Sequence, residues 1–456
     1  MILDKLKEEC GVIGIYSDDE KITSQNIYYG LNAIQHRGQE SAGILMNKNC
    51  SIKYYKEMGL VQDIFKEKIL KDLCGKIGIG HVRYSTTGES LINNAQPLSI
   101  DYKDKTLGLA HNGNLINTKE IRDELEKEGC LFKTTIDSEL IGILINKYTK
   151  DNIVEGIRRT MEKIKGAYAL VITCEDKLIG VRDPHGLRPL VLGKNENGYI
   201  LGSESCALNV LGADIVRNIN PGEIVIIKGN EIESYNFTDE KSALCSFEFV
   251  YFARPDSEID NQSVYMSRLN AGKILARECS VEADLVVDVP DSGRIAAMGY
   301  SQESNIPFAE GLIKNRYVGR TFIEPTQERR DMKVQLKLNP LKKIIEGKRI
   351  ILVDDSIVRG TTMKNIVALL KKSGAREVHI RISSPSVKHS CFFGIDTPDE
   401  SRLIGANNSV DNIRKIIGAD SLAYLSIDGL KEACGDSNLN LCTACFNGNY
   451  PMEIGN

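Results

Sequence analysis

Apolar residues recur along this chain in two rhythms. In the first half they form short runs broken by Gly, Asn and Asp. Gly11 to Tyr16 (GVIGIY) predicts a buried strand, and helical spacing follows over Asn26 to Gln35. Further strands are predicted at GKIGIGHVRYS, TLGLAHNG, AYALVITCEDKLIGVRD, YILGSES and GEIVIIKGNEIES. Helical patterns sit at TKEIRDELEKEG and NIVEGIRRTMEKIKG. This half reads as antiparallel sheets packed with helices, an α+β arrangement. After about Thr238 the rhythm changes. ADLVVDVPDSGRIAAMGY reads as strand, loop, helix, and KRIILVDDSIVRGTTMKNIVALLKKSGAREVHIRISS as strand, loop, helix, strand. The runs Ile350 to Val353 and Val378 to Ile382 suit a parallel sheet covered on both faces, an α/β arrangement. The boundary between the two is placed near residue 230, giving segments 10–230 and 231–456. No internal repeat or low-complexity tract is present.

Composition narrows the function classes. With 456 residues the chain is too long for one ordinary core, and two or three domains are predicted. Lysine and arginine number 58 against 62 acids, a net charge of −4, so no cationic excess points to nucleic acid. The first nine residues carry Asp4, Lys5, Lys7, Glu8 and Glu9 and no apolar core of a signal peptide. No segment approaches the roughly 18 apolar residues of a membrane span. A cytoplasmic location is expected, where twelve cysteines read as thiols, metal ligands or nucleophiles rather than disulfides.

The sharpest local signal is Ile350 to Thr362, IILVDDSIVRGTT. An apolar strand ends in Asp354 and Asp355. A turn with Ser356, Arg359 and Gly360 follows, and Thr361 and Thr362 open a helix. Free amides at a helix N-terminus bind phosphate, hydroxyls add donors, and Gly lets the backbone approach. Two carboxylates beside phosphate would repel it unless they bind ribose hydroxyls or a ligand-bound Mg²⁺. This stretch resembles the phosphoribosyl pyrophosphate (PRPP) motif of the type I phosphoribosyltransferases. By that resemblance the acid pair holds the ribose and the loop holds the 5′-phosphate. VPDSG, Val289 to Gly293 with Asp291 and Ser292, resembles the pyrophosphate loop, and Ser292, Asp354 and Asp355 would hold Mg²⁺. The long basic segment GLIKNRYVGRTFIEPTQERRDMKVQLKLNP lies between the motifs. A lid over a diphosphate and a solvated surface loop both have this composition.

In the first half, polar clusters stand among strands: QHRGQESAG, HVRYSTTG, AHNGNL and TIDSE. Hydrolysis of a side-chain amide needs a nucleophile, a base, an oxyanion hole and a carboxylate clamp. With CGVIGIY these clusters resemble the class II glutamine amidotransferases. The resemblance implies a four-layer αββα N-terminal-nucleophile fold. Cys10 would be the nucleophile, Arg83 the clamp for the glutamine α-carboxylate, Asn112 and Gly113 the oxyanion hole, and Asp137 the site for the α-amino group. A free α-amine has a pKa near ~8 and serves as a base where a peptide nitrogen cannot. Met1 to Glu9 would then be a propeptide whose removal bares the Cys10 amine.

Together the halves resemble the amidophosphoribosyltransferases. That implies glutamine, PRPP and water as substrates, purine-nucleotide feedback inhibitors, a homotetramer, and no nucleic-acid or membrane partner. FEFVYFARPDS, Phe247 to Ser257, sits between the halves with no role legible in its residues. Cys442 and Cys445 form a CxxC pair that by itself fits zinc, a redox pair or a cluster; the lack of nearby histidine favours all-sulfur ligation. The family occurs with and without a [4Fe–4S] cluster. Its cluster form pairs a propeptide with cysteines distributed like Cys245, Cys391, Cys442 and Cys445. Cys434 is the nearest competing ligand, and a four-thiolate zinc site the main alternative. Two rival functions remain. Glucosamine-6-phosphate synthase would share the first half, but its second half should lack VDDSIVRGTT. A PRPP-sensing regulator would have no need of Cys10. The six histidines read as structural.

Overall fold

The computed structural model describes residues 10–84, 90–102, 105–150, 152–238, 240–315, 338–435 and 439–454. The expected propeptide Met1 to Glu9, the Ser85 to Gly88 part of HVRYSTTG, and residues 316–337 of the long basic segment lie outside them.

The first half is built on two antiparallel sheets, of seven and six strands. In the first, Gly11–Ser17 lies between Ile77–Arg83 and Gly198–Gly202, with Val12 opposite His81 and Ile13 opposite Gly202. In the second, Lys105–Leu115 lies between Leu98–Tyr102 and Gly166–Cys174. Their facing sides share Val12, Leu45, Ile79, Ala110, Ala169 and Val171. Helix Thr23–Ala33 covers the outer face of the first sheet through Ile27 and Leu31. It comes so close that a Cβ on Gly78 or Gly80 would stand 2.5 Å from Ile27. Helices Asp137–Tyr148 and Ile153–Lys163 cover the second sheet. The layers run αββα, as the resemblance implied.

Two sequence expectations change. Glu231–Asn236 pairs with Glu223–Lys228 in the six-stranded sheet, so the first half runs past residue 230, where the boundary was placed. The predicted stretch GEIVIIKGNEIES already ran to Ser234, and the paired strand is exposed along its whole length. Ser41–Lys48 and Ser51–Met58 form a strand pair that the pattern did not predict. The first is buried on both faces except at Lys48 and shows no alternation.

The second half carries a four-stranded parallel sheet in the order Leu285–Asp288, Arg349–Asp354, Glu377–Ile382, Ser421–Tyr424. Helices Val264–Glu278 and Arg294–Ser304 pack on one face, Thr361–Lys372 and Val410–Ile417 on the other. Continuous apolar strands therefore reflect cover on both sides.

The halves meet across buried charge. Arg37 donates to Glu204 at 2.6 Å and to Glu248 at 2.7 Å, and all three side chains are essentially inaccessible. Glu204 also meets His36 Nε2 at 2.7 Å, and it accepts from the Ser257 hydroxyl at 2.7 Å and the Arg254 amide at 2.9 Å. FEFVYFARPDS thus has a physical role: it wraps a carboxylate of the first half. Arg182 to Asp260, 2.8 Å, is a second tie.

Burial opposes the charge on Glu204, and His36 and Arg37 overcome it, holding the carboxyl well below the usual range. A folded pKa below the unfolded value gives stability that is fully present above pH about 4.3 and is lost as pH falls through the folded value. Glu204→Gln should lower the thermal midpoint at pH 7, by a destabilisation on the order of 3 kcal/mol for a broken buried pair. The gap to the parent should narrow as the melts are repeated toward pH 3; a gap independent of pH contradicts the assignment.

Candidate active sites

Cys10 immediately precedes the central strand of the first sheet. Gly11 pairs with Val82, which sets Cys10 beside the end of Ile77–Arg83. Its Sγ donates to the Tyr84 carbonyl at 3.4 Å, and its own carbonyl accepts from Arg37 Nε at 3.2 Å. Burial pushes the thiol up to about 11; Asp137 and Glu40 add to the rise and Arg83 opposes it. These charges therefore share one site with the sulfur. Arg83 is buried and pairs with Glu40. Asp137 opens its helix, accepts the Leu115 amide at 2.9 Å and lies 3.7 Å from His111 Nδ1. Burial would raise its carboxyl, but His111 and the Leu115 and Ser138 amides outweigh it and hold it below the ordinary value.

Asn112 lies on Lys105–Leu115, turned with Ala110 toward the facing sheet. It is fully buried, yet neither its side-chain nitrogen nor its oxygen has a hydrogen-bond partner among the described residues. A buried amide costs free energy when unpaired, so it is a group awaiting a partner. Gly113 has φ of +146°, and a Cβ there would stand 2.0 Å from the Ala167 carbonyl oxygen. His81 Nε2 donates to the His111 carbonyl at 3.0 Å, tying the first sheet to the second. Burial pushes this ring down to about 3, so it is neutral.

The second constellation lies at the carboxyl end of the parallel sheet, the crevice position for ligands in such folds. Ser292 Oγ donates to Asp354 Oδ1 at 3.1 Å, and Ser356 Oγ to Asp355 Oδ2 at 2.6 Å. Both carboxylates are buried. Gly360, φ +82°, caps helix Thr361–Lys372, and Arg359 precedes it. Gly293 lies against the strand leading to the acid pair, since a Cβ there would be 2.2 Å from the Val353 oxygen. Asp291 instead turns to Lys314, 2.7 Å. The Ser292–Asp354 contact makes an all-oxygen donor set of the hard kind that suits Mg²⁺. Among the described residues no three His, Cys, Asp or Glu side chains are grouped to hold a single ion.

Cys245, Cys391, Cys442 and Cys445 line one cavity with Leu187, Arg188, Phe393, Ile395, Ala444 and Tyr450. Leu244–Cys245 and Leu441–Cys442 pair in parallel, with Cys245 opposite Cys442. Burial first, then the other three sulfurs, pushes the Cys445 thiol well up. Cys434 lies elsewhere, packed with Leu244, Phe249 and Val264.

A glutamine amidotransferase domain family matches residues 81–210, and a phosphoribosyl transferase domain family matches residues 268–384. Amidophosphoribosyltransferase of Methanocaldococcus jannaschii is 48% identical over 98% of both chains. That of Synechocystis is 50% identical over 99% of this chain and 92% of its own. The solved glutamine PRPP amidotransferase of B. subtilis complexed with ADP and GMP superposes with a TM-score of 0.92 at 45% identity, covering 98% of each chain. The chain belongs to the amidophosphoribosyltransferase family.

An amidophosphoribosyltransferase sequence read without its fold omits the residues that hold the site. Arg37 and Glu40, Glu204, and Glu248 come from three separate segments, and only their packing shows that they meet. Arg37 and Glu40 lay inside a quoted cluster without an assigned role. Glu204 and Glu248 carried no local signal beyond an acid in an apolar setting.

With the thiol near 11, Cys10 is protonated at neutral pH in this state. Its alkylation by iodoacetamide, followed by mass spectrometry, should rise about tenfold per pH unit through pH 9 with no plateau. A plateau near pH 7 would show a thiolate activated well below a pKa of about 11 and contradict the effect of burial.

Proposed function

We propose that this enzyme hydrolyses glutamine at Cys10 and delivers the ammonia to C1 of PRPP, giving 5-phosphoribosylamine, glutamate and pyrophosphate, the first committed step of purine synthesis. The observation that carries it is Asn112, a buried amide with both polar ends unpartnered. Arg83 binds the glutamine α-carboxylate, exchanging it for Glu40, and Asp137 binds the α-ammonium. The Cys10 sulfur attacks the side-chain amide. Asn112 and the Gly113 amide hold the negative oxygen that forms, and ammonia leaves a thioester that water then cleaves. A thiol this hard to ionise needs a base. The α-amine of Cys10 supplies it once Met1 to Glu9 are removed, so the leader keeps the site silent.

In the second half, Asp354 and Asp355 hold the ribose hydroxyls. The loop of Ser356, Arg359, Gly360, Thr361 and Thr362 holds the 5′-phosphate. Asp291, Ser292 and Gly293 receive the pyrophosphate. Mg²⁺, held by Ser292, Asp354 and Asp355, would neutralise charge on the departing pyrophosphate. Ammonia must pass between the sites without meeting bulk water, because ammonium is no nucleophile. The acid pair's oxygens, already tied to Ser292 and Ser356, are oriented before substrate arrives.

Cys245, Cys391, Cys442 and Cys445 are assigned to a [4Fe–4S] cluster, which would staple the second half's segments together. A tetrahedral zinc needs sulfurs about 3.8 Å apart, from Zn–S bonds of about 2.3 Å. All four of the metal-ligating side chains that line this cavity are cysteines, in keeping with all-sulfur ligation. Feedback by purine nucleotides is in keeping with the ADP and GMP in the B. subtilis relative. No helix of the described residues is long and apolar enough to cross a membrane. Work in the cytoplasm as a homotetramer completes the reading.

Cys10→Ala should abolish glutamine-dependent synthesis and leave ammonia-dependent synthesis intact; joint loss of both would refute separate sites. Asn112→Ala should cut the glutamine-dependent kcat about 10²–10³-fold. Anaerobically purified protein should be brown and hold about four irons per chain. A colourless protein with one zinc would replace the cluster assignment.

A further inference from the structure

The two parts of the amide-hydrolysing site, nucleophile and oxyanion hole, are joined by a path that leaves the first half and returns to it. Arg37 Nε holds the Cys10 carbonyl at 3.2 Å, and its other nitrogens grip Glu248. Glu248 Oε1 lies 3.8 Å from Arg188 Nη1. Arg188, fully buried, donates through Nε at 3.2 Å and through Nη2 to the Phe393 carbonyl. The next residue, Gly394, has φ of +115°. A Cβ there would stand 3.1 Å from Arg188 Nη2 and 3.4 Å from the carbonyl carbon of Gly113. One residue further along the same strand, Asn114 Nδ2 donates to the Phe392 carbonyl at 2.9 Å. The Phe392–Gly394 turn therefore lies close beside the Gly113 backbone, with room for a glycine at 394, and Arg188 holds the turn.

We propose that Arg188 is a positioning residue for amide hydrolysis, acting through the Phe392–Gly394 turn of the second half on the Gly113 backbone. The oxyanion hole is thus completed by the domain that receives the ammonia. This rests on the assignment of Asn112 and Gly113 to that hole. Arg188 touches no reacting atom. It fixes where the Gly113 peptide lies, and small misplacements of an oxyanion donor are costly. A lysine keeps the charge but lacks the planar fork that reaches a carboxylate and a carbonyl together.

Arg188→Lys and Asn114→Ser test the two ends of the turn. Asn114 is half-buried and does not line the cysteine cavity, so its variant separates this effect from any on a bound metal. In each, the glutamine-dependent kcat should fall about tenfold or more, with KM for glutamine within about twofold. Ammonia-dependent synthesis and iodoacetamide alkylation of Cys10 should match the parent, because neither uses the oxyanion hole. Binding of an aldehyde analogue of glutamine, which places an oxyanion there, should weaken in parallel with kcat. Parent-like glutamine-dependent kcat in the variants overturns the proposal. So does an equal fall in both activities, the mark of a general structural role. If Arg188→Lys fails to fold, Asn114→Ser decides alone. Asn112→Ala separates the layers: if it keeps full glutaminase activity, the oxyanion assignment itself is wrong. If it is inactive while Arg188→Lys and Asn114→Ser are normal, only the role of Arg188 falls.

Discussion

The guanidinium of Arg37 is the point on which the two halves converge. It lies 1% exposed, holds the carbonyl of Cys10, and is neutralised by Glu204 from the first half and Glu248 from the connecting segment. A charge in so dry a place is tolerable only when its partners are fixed and their remaining lone pairs are filled. His36, the Ser257 hydroxyl and the Arg254 amide fill those of Glu204. The requirement fixes three chain segments at once, and the position of the Cys10 backbone is one result.

The two catalytic halves obey different structural logic. In the phosphoribosyltransferase half the site is local. Strand, acid pair, glycine and helix start follow each other within Ile350 to Thr362, and the crevice at the sheet's carboxyl end follows from parallel topology. In the amidotransferase half the candidate residues Cys10, Arg83, Asn112 and Asp137 lie on or beside strands and a helix distant in sequence. Two sheets must stack correctly before they meet.

That contrast explains what was legible. The parallel strands and the loop that opens helix Thr361–Lys372 could be read from residues alone, because a continuous apolar run and a glycine at a helix start have local causes. The order of layers in the first half needed the family resemblance. The pair Ser41–Lys48 and Ser51–Met58 escaped because a strand buried on both faces has no alternation. The boundary near residue 230 cut through the predicted stretch GEIVIIKGNEIES, whose exposed second strand, Glu231–Asn236, gives no sign of the sheet it joins. The buried acids Glu204 and Glu248 escaped for a deeper reason: an acid's partner is a property of packing, and nothing adjacent in sequence announces it.

His81 adds a quieter consequence. Its ring spans the gap between the stacked sheets and bonds to the chain one residue before Asn112. Because the imidazole takes up no second proton until the pH falls to about 3, the ring keeps its single N–H and this rivet its form across the neutral range. The separation of the strand ending at Arg83 from the strand bearing Asn112 is therefore insulated from acidity, and the protonation chemistry of the sulfur takes place within a frame of constant width.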